Sequence, residues 1–203
     1  MRYIDFHTHH IPAEADVLAV VDGRDTWGLH PWRAMEELVV PDLSAKLAIG
    51  ECGLDGLKGP SLARQEEVFF QQISLSEEVG KPLIIHCVKA FDRLLSLRKD
   101  LHPKMPWMLH GFRGKPQQLQ SLLNAGFYVC FGFLHNEESL RACPLDRLLL
   151  ETDDNTEHSI VQLYKDVARE RSLDVPTLCQ MMHENYLAFF RNEPIEKGEK
   201  VRN

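Results

Sequence analysis

Short apolar runs recur along the chain, and each of them ends in a polar or ionisable residue. Runs of this length with such an ending are typical of buried β-strands. The predicted strands are Arg2–His9, Ala15–Val21, Ala45–Glu51, Pro82–His86, Pro106–His110, Gly126–Gly132 and Leu148–Asp153. Between most of them, apolar residues three or four positions apart predict helices at Gly59–Gly80, Phe91–Leu101, Lys115–Ala125 and Asp174–Phe190.

Strands that alternate with helices imply βα units and a parallel sheet. No linker rich in Pro, Gly or Ser divides the chain, so residues 1–191 are predicted to form a single α/β domain. Charged residues dominate positions 192–203, which we expect to be a flexible C-terminal tail.

The composition is that of a globular protein without a membrane span. Of 203 residues, 44% are hydrophobic and 26% are charged. No run reaches the roughly 18 apolar residues of a spanning helix. No signal peptide is visible and the five cysteines are scattered, which favours reduced thiols in a cytoplasm. A net charge of −7 argues against a broad basic surface, but it does not exclude an enzyme whose bound cations receive a phosphate locally.

The first predicted strand carries two histidines on one face. Because residues two apart in a strand point to the same side, Asp5, His7 and His9 share a face opposite Ile4 and Phe6. A face with one carboxylate and two imidazoles is costly to bury unless water or a cation occupies it. We interpret the two histidines as half of a metal site.

Four further residues of ligand type stand at the ends of other predicted strands: Glu51, His86, His110 and Asp153. In a βα barrel, the carboxyl ends of the strands converge on one mouth, where active sites are found. Six such side chains suit two divalent cations bridged by one carboxylate. Each residue alone has a structural explanation, as a satisfied buried histidine or a capping carboxylate. A shared metal site explains all six together.

The order of these motifs resembles that of the TatD-type metal-dependent hydrolases, a deoxyribonuclease family with a TIM-barrel fold. The matching segments span nearly the whole chain and are Ile4–His9, Gly28–Trp32, Ile49–Asp55, Lys81–His86, Leu109–Phe112, Leu148–Asp153 and Glu184–Phe190. The resemblance implies a TIM-type (β/α) barrel that hydrolyses DNA with two divalent cations. It also implies two ligand sets, which are His7, His9, Glu51 and Asp153 for one cation, and Glu51, His86 and His110 for the other.

The chain is short for such a barrel, which takes about 250 residues, with about 200 near the lower limit. The shortage is local, because only twenty residues separate His9 from His30. Two βα units need about 30 residues each. Ala15–Val21 and Asp25–Leu29 could form strands, but no helix fits between them. We predict a barrel that is trimmed or distorted near its second and third strands, with an uncovered flank that could form a homo-oligomer interface.

Two further departures from the family pattern concern contacts with the substrate. The family often has an arginine where this chain has Val88, which Lys89 follows. After the last aspartate the family usually has Ala-Pro, whereas this chain has Asp154–Asn155. Neither departure removes a predicted metal ligand, so the contacts in question are those with the substrate.

The predicted chemistry uses a water activated at the cations, with Asp153 as both a ligand and the general base. His30, Arg113 and Lys89 are candidate contacts to the substrate phosphate. The structural alternatives remain open. His30 could be a loop residue held by Pro31, and the two basic residues could be solvated loop charges.

Three residues near the predicted ligands have supporting roles. Asp55 is expected to orient the turn that follows Glu51 rather than to bind metal. Asp5 is expected to support the ligands from deeper on the same face. Trp32 could stack on a base or pack against the barrel rim, and packing is favoured.

Three functions are compatible with this site. The leading hypothesis is a metal-dependent hydrolase of phosphodiester bonds in DNA or a small phosphodiester. The second is a two-metal hydrolase of a small phosphoester, lactone or amide. The third is a non-catalytic metal-binding barrel, which a complete ligand set makes the least favoured. Histidine and carboxylate ligands suit Zn, Mn or Ni, and suit Mg less well.

Overall fold

The structure is a computed structural model that describes residues 2–191; the predicted tail at 192–203 lies outside the described residues. Within that range the strands are Tyr3–Thr8 (β1), Val17–Val21 (β2), Thr26–Trp27 (β3), Ala48–Asp55 (β4), Leu83–Val88 (β5), Trp107–Leu109 (β6), Tyr128–Phe131 (β7) and Leu148–Leu150 (β8). The α-helices are Leu62–Val79 (α1), Phe91–Leu101 (α2), Pro116–Asn124 (α3), Glu137–Ala142 (α4), Ile160–Glu170 (α5) and Val175–Phe190 (α6).

Every predicted strand overlaps an observed one, although β4 and β5 continue past the predicted ends at Glu51 and His86. The four predicted helices are confirmed as α1, α2, α3 and α6. The helices α4 and α5 were not predicted. The first is short and begins where the side chain of Asn136 accepts the backbone N–H of Ser139. No helix within residues 2–191 is both long and apolar enough to cross a membrane.

The strands run parallel and follow one another in chain order around a barrel. One ladder joins β1 to β2, and another joins β3 through β8. The end of β8 meets β1 through a parallel bridge between Thr8 and Asp153. Asp153 N–H donates to His7 O at 3.0 Å, and His9 N–H donates to Asp153 O at 3.0 Å. The predicted (β/α) barrel is confirmed, and three predicted site residues, His7, His9 and Asp153, lie directly at this seam.

The barrel is trimmed at its second and third strands, as predicted. A single segment, Val17–Trp27, pairs with β1 through β2 and with β4 through β3. In the described part of the chain, no ladder joins β2 to β3, and the turn between them is 22–25. Between β1 and β4, the described residues contain only a 3₁₀ turn at Pro31–Arg33 in place of crossover helices.

Side chains from this turn satisfy the open edge of β2. Arg24 donates from Nη2 to the carbonyl oxygen of Ala19 at 3.1 Å. Asp25 accepts the backbone N–H of Val21 at 2.8 Å through Oδ2. Unpaired backbone groups at a sheet edge otherwise remain available for pairing with another chain. The turn therefore closes the gap with these two side chains and with the Asp25 backbone N–H, which donates to Val21 O at 2.8 Å.

The core fixes the strand that carries the two histidines. Ile4 and Phe6 of β1 are buried on the outer face of the barrel strand, under the helices. Tyr164 of α5 is fully buried, and its hydroxyl accepts the Ile4 N–H and donates to the Ile4 carbonyl, both at 3.0 Å. Phe6 stacks on Phe190 of α6 at a centroid distance of 6.1 Å. These contacts leave Asp5 and His7 facing the opposite side of β1.

Candidate metal centre

The structure brings all six predicted ligands to one mouth of the barrel. Two of them lie at the end of β1, one lies in β4, one lies in β5, and the remaining two follow β6 and β8. These residues are His7, His9, Glu51, His86, His110 and Asp153. Carboxyl ends of parallel strands meet at one end of a barrel, so residues far apart in sequence converge there.

Glu51 lies at the centre of the cluster and faces a different group with each oxygen. Its Oε2 is 3.6 Å from His7 Nε2 and 3.7 Å from His9 Nε2. Its Oε1 is 3.0 Å from His86 Nδ1 and 2.7 Å from His110 Nε2. A carboxylate whose two oxygens point to separate groups of imidazoles has the arrangement of a bridging ligand.

The group around Oε2 fits a cation better than a hydrogen-bond network. Asp153 Oδ1 lies 3.7 Å from His7 Nε2 and 3.5 Å from His9 Nε2, which is long for a hydrogen bond. His7 is fully buried, and neither of its ring nitrogens has a hydrogen-bond partner among residues 2–191. A buried polar atom left unpaired costs about 1–3 kcal/mol. A cation between these side chains would satisfy the His7 nitrogen.

His86 presents a lone pair to the centre. Its Nε2 lies 3.1 Å from Asp55 Oδ2, so the ring proton is held there and Nδ1 faces Glu51. A carboxylate on the far nitrogen is the usual partner of a metal-binding histidine. Asp55 also accepts the Trp32 indole N–H at 2.6 Å and the Leu57 backbone N–H at 2.8 Å. It therefore orients the turn after β4 and the His86 ring together.

His30 presents a proton instead. Its Nδ1 accepts the backbone N–H of Trp32 at 3.2 Å, which starts the 3₁₀ turn. The ring proton of a neutral His30 therefore sits on Nε2, which lies 3.2 Å from Glu51 Oε1. His30, Glu51 and His86 are spaced closely enough to hold a metal ion. The tautomer nevertheless makes His30 a hydrogen-bond donor at this centre rather than a lone-pair ligand.

His110 is backed by a second buried carboxylate. Its Nδ1 is buried without a hydrogen-bond partner in the described part of the chain and lies 3.8 Å from Glu151 Oε1. Glu151 is fully buried and accepts the backbone N–H of Gly111. The Glu151 carboxyl group therefore lies behind the His110 ring, on the side away from Glu51.

Sequence reasoning missed Asp22, which follows β2 directly. Its Oδ2 lies 3.9 Å from His9 Nδ1. Its Oδ1 accepts the backbone N–H of Glu51 at 3.2 Å and the hydroxyl of Thr26 at 2.7 Å. Asp22 thus lies against two predicted ligands from different strands. The signal was available, because Asp22 is the polar residue that ends the apolar run Ala15–Val21.

Asp5 supports the centre through Thr152. It accepts the Thr152 backbone N–H at 3.0 Å and its hydroxyl at 2.6 Å. Burial raises the pKa of Asp5 to about 7, although both hydrogen bonds from Thr152 act in the opposite direction. The next residue, Asp153, has a φ of 56°. Aspartate and asparagine tolerate this left-handed conformation better than most residues.

The carboxylates of Glu51 and Asp153 are ionised at neutral pH, because the pKa of each is lowered. Burial opposes ionisation of Glu51, but the charge of His110, with hydrogen bonds from His110 and His30, holds its pKa well below the usual range. Burial also opposes ionisation of Asp153, whose pKa is lowered on balance by His9 and by the charges of His110 and His7. Burial lowers the pKa of His110, but Glu51 and Glu151 raise it well above its ordinary value. Cations would therefore displace a proton from His110.

A cleft of about 830 Å³ opens beside the centre. His86, His110 and Asp153 form its inner end, and Lys89 and Arg113 line it further out. Both basic side chains are exposed. Neither of them has an acidic partner within 4.0 Å among the residues that the structure describes. The cleft therefore combines the predicted metal ligands with unpaired positive charge.

Histidines gathered around a shared carboxylate, at the carboxyl end of a parallel barrel, define the class of metal-ligating (β/α) barrels. Within that class, residues 5–191 match the sequence model of the TatD related DNases. The chain belongs to this family, so the resemblance inferred from the motifs is confirmed.

Curated relatives support the same family. The chain is 36% identical over 146 residues to the 3'-5' ssDNA/RNA exonuclease TatD of Edwardsiella piscicida. The aligned region covers 63% of this chain and 56% of that protein. The chain is 32% identical over 146 residues to the protein of the same name from Escherichia coli K12, with the same coverage. The chain thus spans little more than half the length of these relatives.

Solved structures support the fold. A TatD homologue from Escherichia coli K12 superposes with a TM-score of 0.72 at 22% identity, covering 90% of this chain and 79% of the other. A TatD family hydrolase from Entamoeba histolytica gives a TM-score of 0.71 at 17% identity, covering 86% and 75%. At these identities the likeness establishes the barrel alone.

Proposed function

We propose that the protein is a divalent-metal-dependent hydrolase that cleaves phosphodiester bonds in nucleic acid. One observation carries the proposal: each of the two Glu51 carboxylate oxygens lies against a separate group of imidazoles. A single carboxylate between two ligand groups is what a two-metal hydrolase needs. The names of the curated relatives, which are 3'-5' ssDNA/RNA exonucleases, supply the class of substrate.

The ligands divide into two sets that share Glu51. His7, His9 and Asp153 would hold one cation together with Oε2, because their ligand atoms surround that oxygen. His86 and His110 would hold the second together with Oε1. Histidine-rich ligand sets favour Zn, Mn or Ni over Mg. The five cysteines are free thiols, which is compatible with a reducing compartment such as the cytoplasm.

Bound divalent cations lower the pKa of a coordinated water and stabilise negative charge on phosphate oxygens. Asp153 accepts the proton of the attacking water. Its Oδ1 faces His7 and His9, which leaves Oδ2 as the oxygen that takes the proton. Asp153 is suited to this role because its carboxylate is ionised and only partly exposed at the edge of the cleft.

The residues around the cleft position the substrate. His30 donates its Nε2–H to an oxygen of the scissile phosphate, which its tautomer allows. Lys89 and Arg113 bind neighbouring phosphates along the cleft, because both are exposed there without an acidic partner in the described residues. This local positive charge offsets the net charge of −7 where a polyanion must approach.

The proposal is tested by comparing hydrolysis of single-stranded DNA, bis(p-nitrophenyl) phosphate and a simple lactone by metal-supplemented protein. We expect cleavage of both phosphodiesters, with loss of activity when a chelator is added. Hydrolysis of the lactone without cleavage of either phosphodiester would assign the site to a different class of ester. Inactivity toward all three, with cations bound, would leave a metal-binding barrel without catalysis.

A further inference from the structure

Trp32 stands on the rim of the barrel mouth, and its ring is held in place. The indole N–H donates to Asp55 Oδ2 at 2.6 Å. The ring is roughly perpendicular to that of His30, at a centroid distance of 4.6 Å, and to that of His86, at 5.9 Å. Packing against the rim accounts for only part of its surface, because 46% of the residue remains exposed.

The exposed part of Trp32 offers a π face and no free polar group. Its only N–H donor outside the backbone is already used by Asp55. The Lys58 ammonium lies 4.4 Å from the ring centroid and covers one face. The exposed surface is therefore aromatic, and it suits the stacking of a second flat ring.

We propose that Trp32 is a stacking platform for an unpaired nucleobase, next to the phosphodiester bound at the metal centre. This inference rests on the proposed function and assigns the residue that would hold a base beside the scissile bond. Because every base has a π face, stacking on Trp32 tolerates any sequence. A base within a duplex already has neighbours on both faces, so the platform favours single strands and frayed ends.

Basic residues beside the platform suit the backbone of such a strand. Lys58 already lies against the Trp32 ring. The loop that carries it touches the loop of Lys89, because Gly56 N–H donates to Val88 O at 2.7 Å. An aromatic ring with a lysine against it, next to a second basic loop, combines stacking with charge for the phosphates, as single-strand binding sites do.

A purely structural role makes a different prediction. In that case Trp32 acts only by holding Asp55 and, through it, His86. Phe at this position keeps an aromatic face but lacks the N–H, whereas Leu lacks both. Stacking predicts that Trp32→Phe keeps affinity for single strands and that Trp32→Leu loses it. A structural role predicts that both variants weaken metal binding alike and bind single strands alike.

The test measures binding of labelled oligomers to the metal-loaded full chain by fluorescence anisotropy. The probes are a phosphorothioate oligothymidylate, which resists hydrolysis, and an abasic oligomer of the same length and linkage. Tryptophan fluorescence is recorded in parallel. The matched control is Phe70→Leu, which removes an aromatic side chain that is 50% exposed on α1.

We expect the oligothymidylate, but not the abasic oligomer, to quench tryptophan fluorescence of the wild-type protein. Trp32→Leu should bind the oligothymidylate about tenfold more weakly, whereas Trp32→Phe and Phe70→Leu should match the wild type. Equal binding of both probes to the wild-type protein would overturn the proposal, and this comparison needs no variant to fold. Hydrolysis of an ordinary oligothymidylate tests the proposed function separately, because it can persist when stacking fails.

Discussion

His86 Nε2 lies 3.1 Å from Asp55 Oδ2, and this contact determines which ring nitrogen faces the centre. The tautomer of His86 differs from that of His30, because the backbone N–H of Trp32 donates to Nδ1 of His30 and leaves the ring proton on Nε2. Two histidines that face the same Glu51 oxygen are thereby set in opposite tautomers. One is suited to bind a cation, and the other to donate to a phosphate.

Replacing Asp55 by Asn should weaken binding of the cation on the His86 side. Loss of the carboxylate behind a metal-binding histidine typically lowers metal affinity about 10- to 100-fold. The measurement is competition with a chromogenic chelator. Asp42→Asn is the matched control, because Asp42 also accepts a turn N–H, that of Ser44, but lies on the exposed surface. Equal affinity in Asp55→Asn and the wild type would contradict the role of this contact.

Replacing Glu51 by Gln should reduce the number of bound cations. The amide keeps the shape of the side chain but removes the charge that both ligand groups share. Elemental analysis after purification should show lower metal stoichiometry than in the wild type. Glu137→Gln, at an exposed α4 position paired with Arg141, serves as the control. Unchanged stoichiometry in Glu51→Gln would rule out the bridging assignment.

Replacing Asp153 by Asn should abolish hydrolysis while preserving the fold. Asparagine tolerates the left-handed backbone at this position, so the barrel seam should survive. Loss of a general base typically costs roughly 10²- to 10⁴-fold in rate. Steady-state kinetics on bis(p-nitrophenyl) phosphate would measure this loss, and circular dichroism would confirm folding. A folded variant with full activity would refute the role of Asp153 as base.

Removal of cations should destabilise the protein. His7 is buried without hydrogen-bond partners among the described residues, so a cation would satisfy it in the folded state only. A ligand at 100 times its dissociation constant stabilises by about 2.7 kcal/mol, or about 5–10 °C in Tm for a chain of this size. Differential scanning fluorimetry with and without chelator measures the shift. It should reverse when the cation is restored in excess, and an unchanged Tm would contradict the prediction.

The sequence predicted the barrel and the meeting of the ligands because both follow from general rules. Apolar runs mark parallel strands, and the ends of parallel strands converge, so His7 and Asp153 could be expected to meet although they lie far apart in the chain. The supporting contacts depend on loop conformation, which periodicity does not encode. The contact of Asp55 with His86 could be predicted only from the path of the turn after β4. The tautomer of His30 could be predicted only from the 3₁₀ turn at Pro31.

The missing βα units mark a further limit of sequence reasoning. Chain length predicted the deficit between His9 and His30 but not how one segment would pair on both sides. That arrangement depends on the side chains of Arg24 and Asp25, which close the edge of β2. Their function is visible only once the gap between β2 and β3 is known.

The turn at 22–25 is fixed in length from both ends. Thr26 and Trp27 are held in register with β4, and Asp22 is bonded to the backbone of Glu51. One inserted residue would break either the register or that hydrogen bond. Mouth loops of barrels usually tolerate insertions. This connection is therefore expected to keep a constant length in close homologues that share the shortened barrel, even where their other mouth loops diverge.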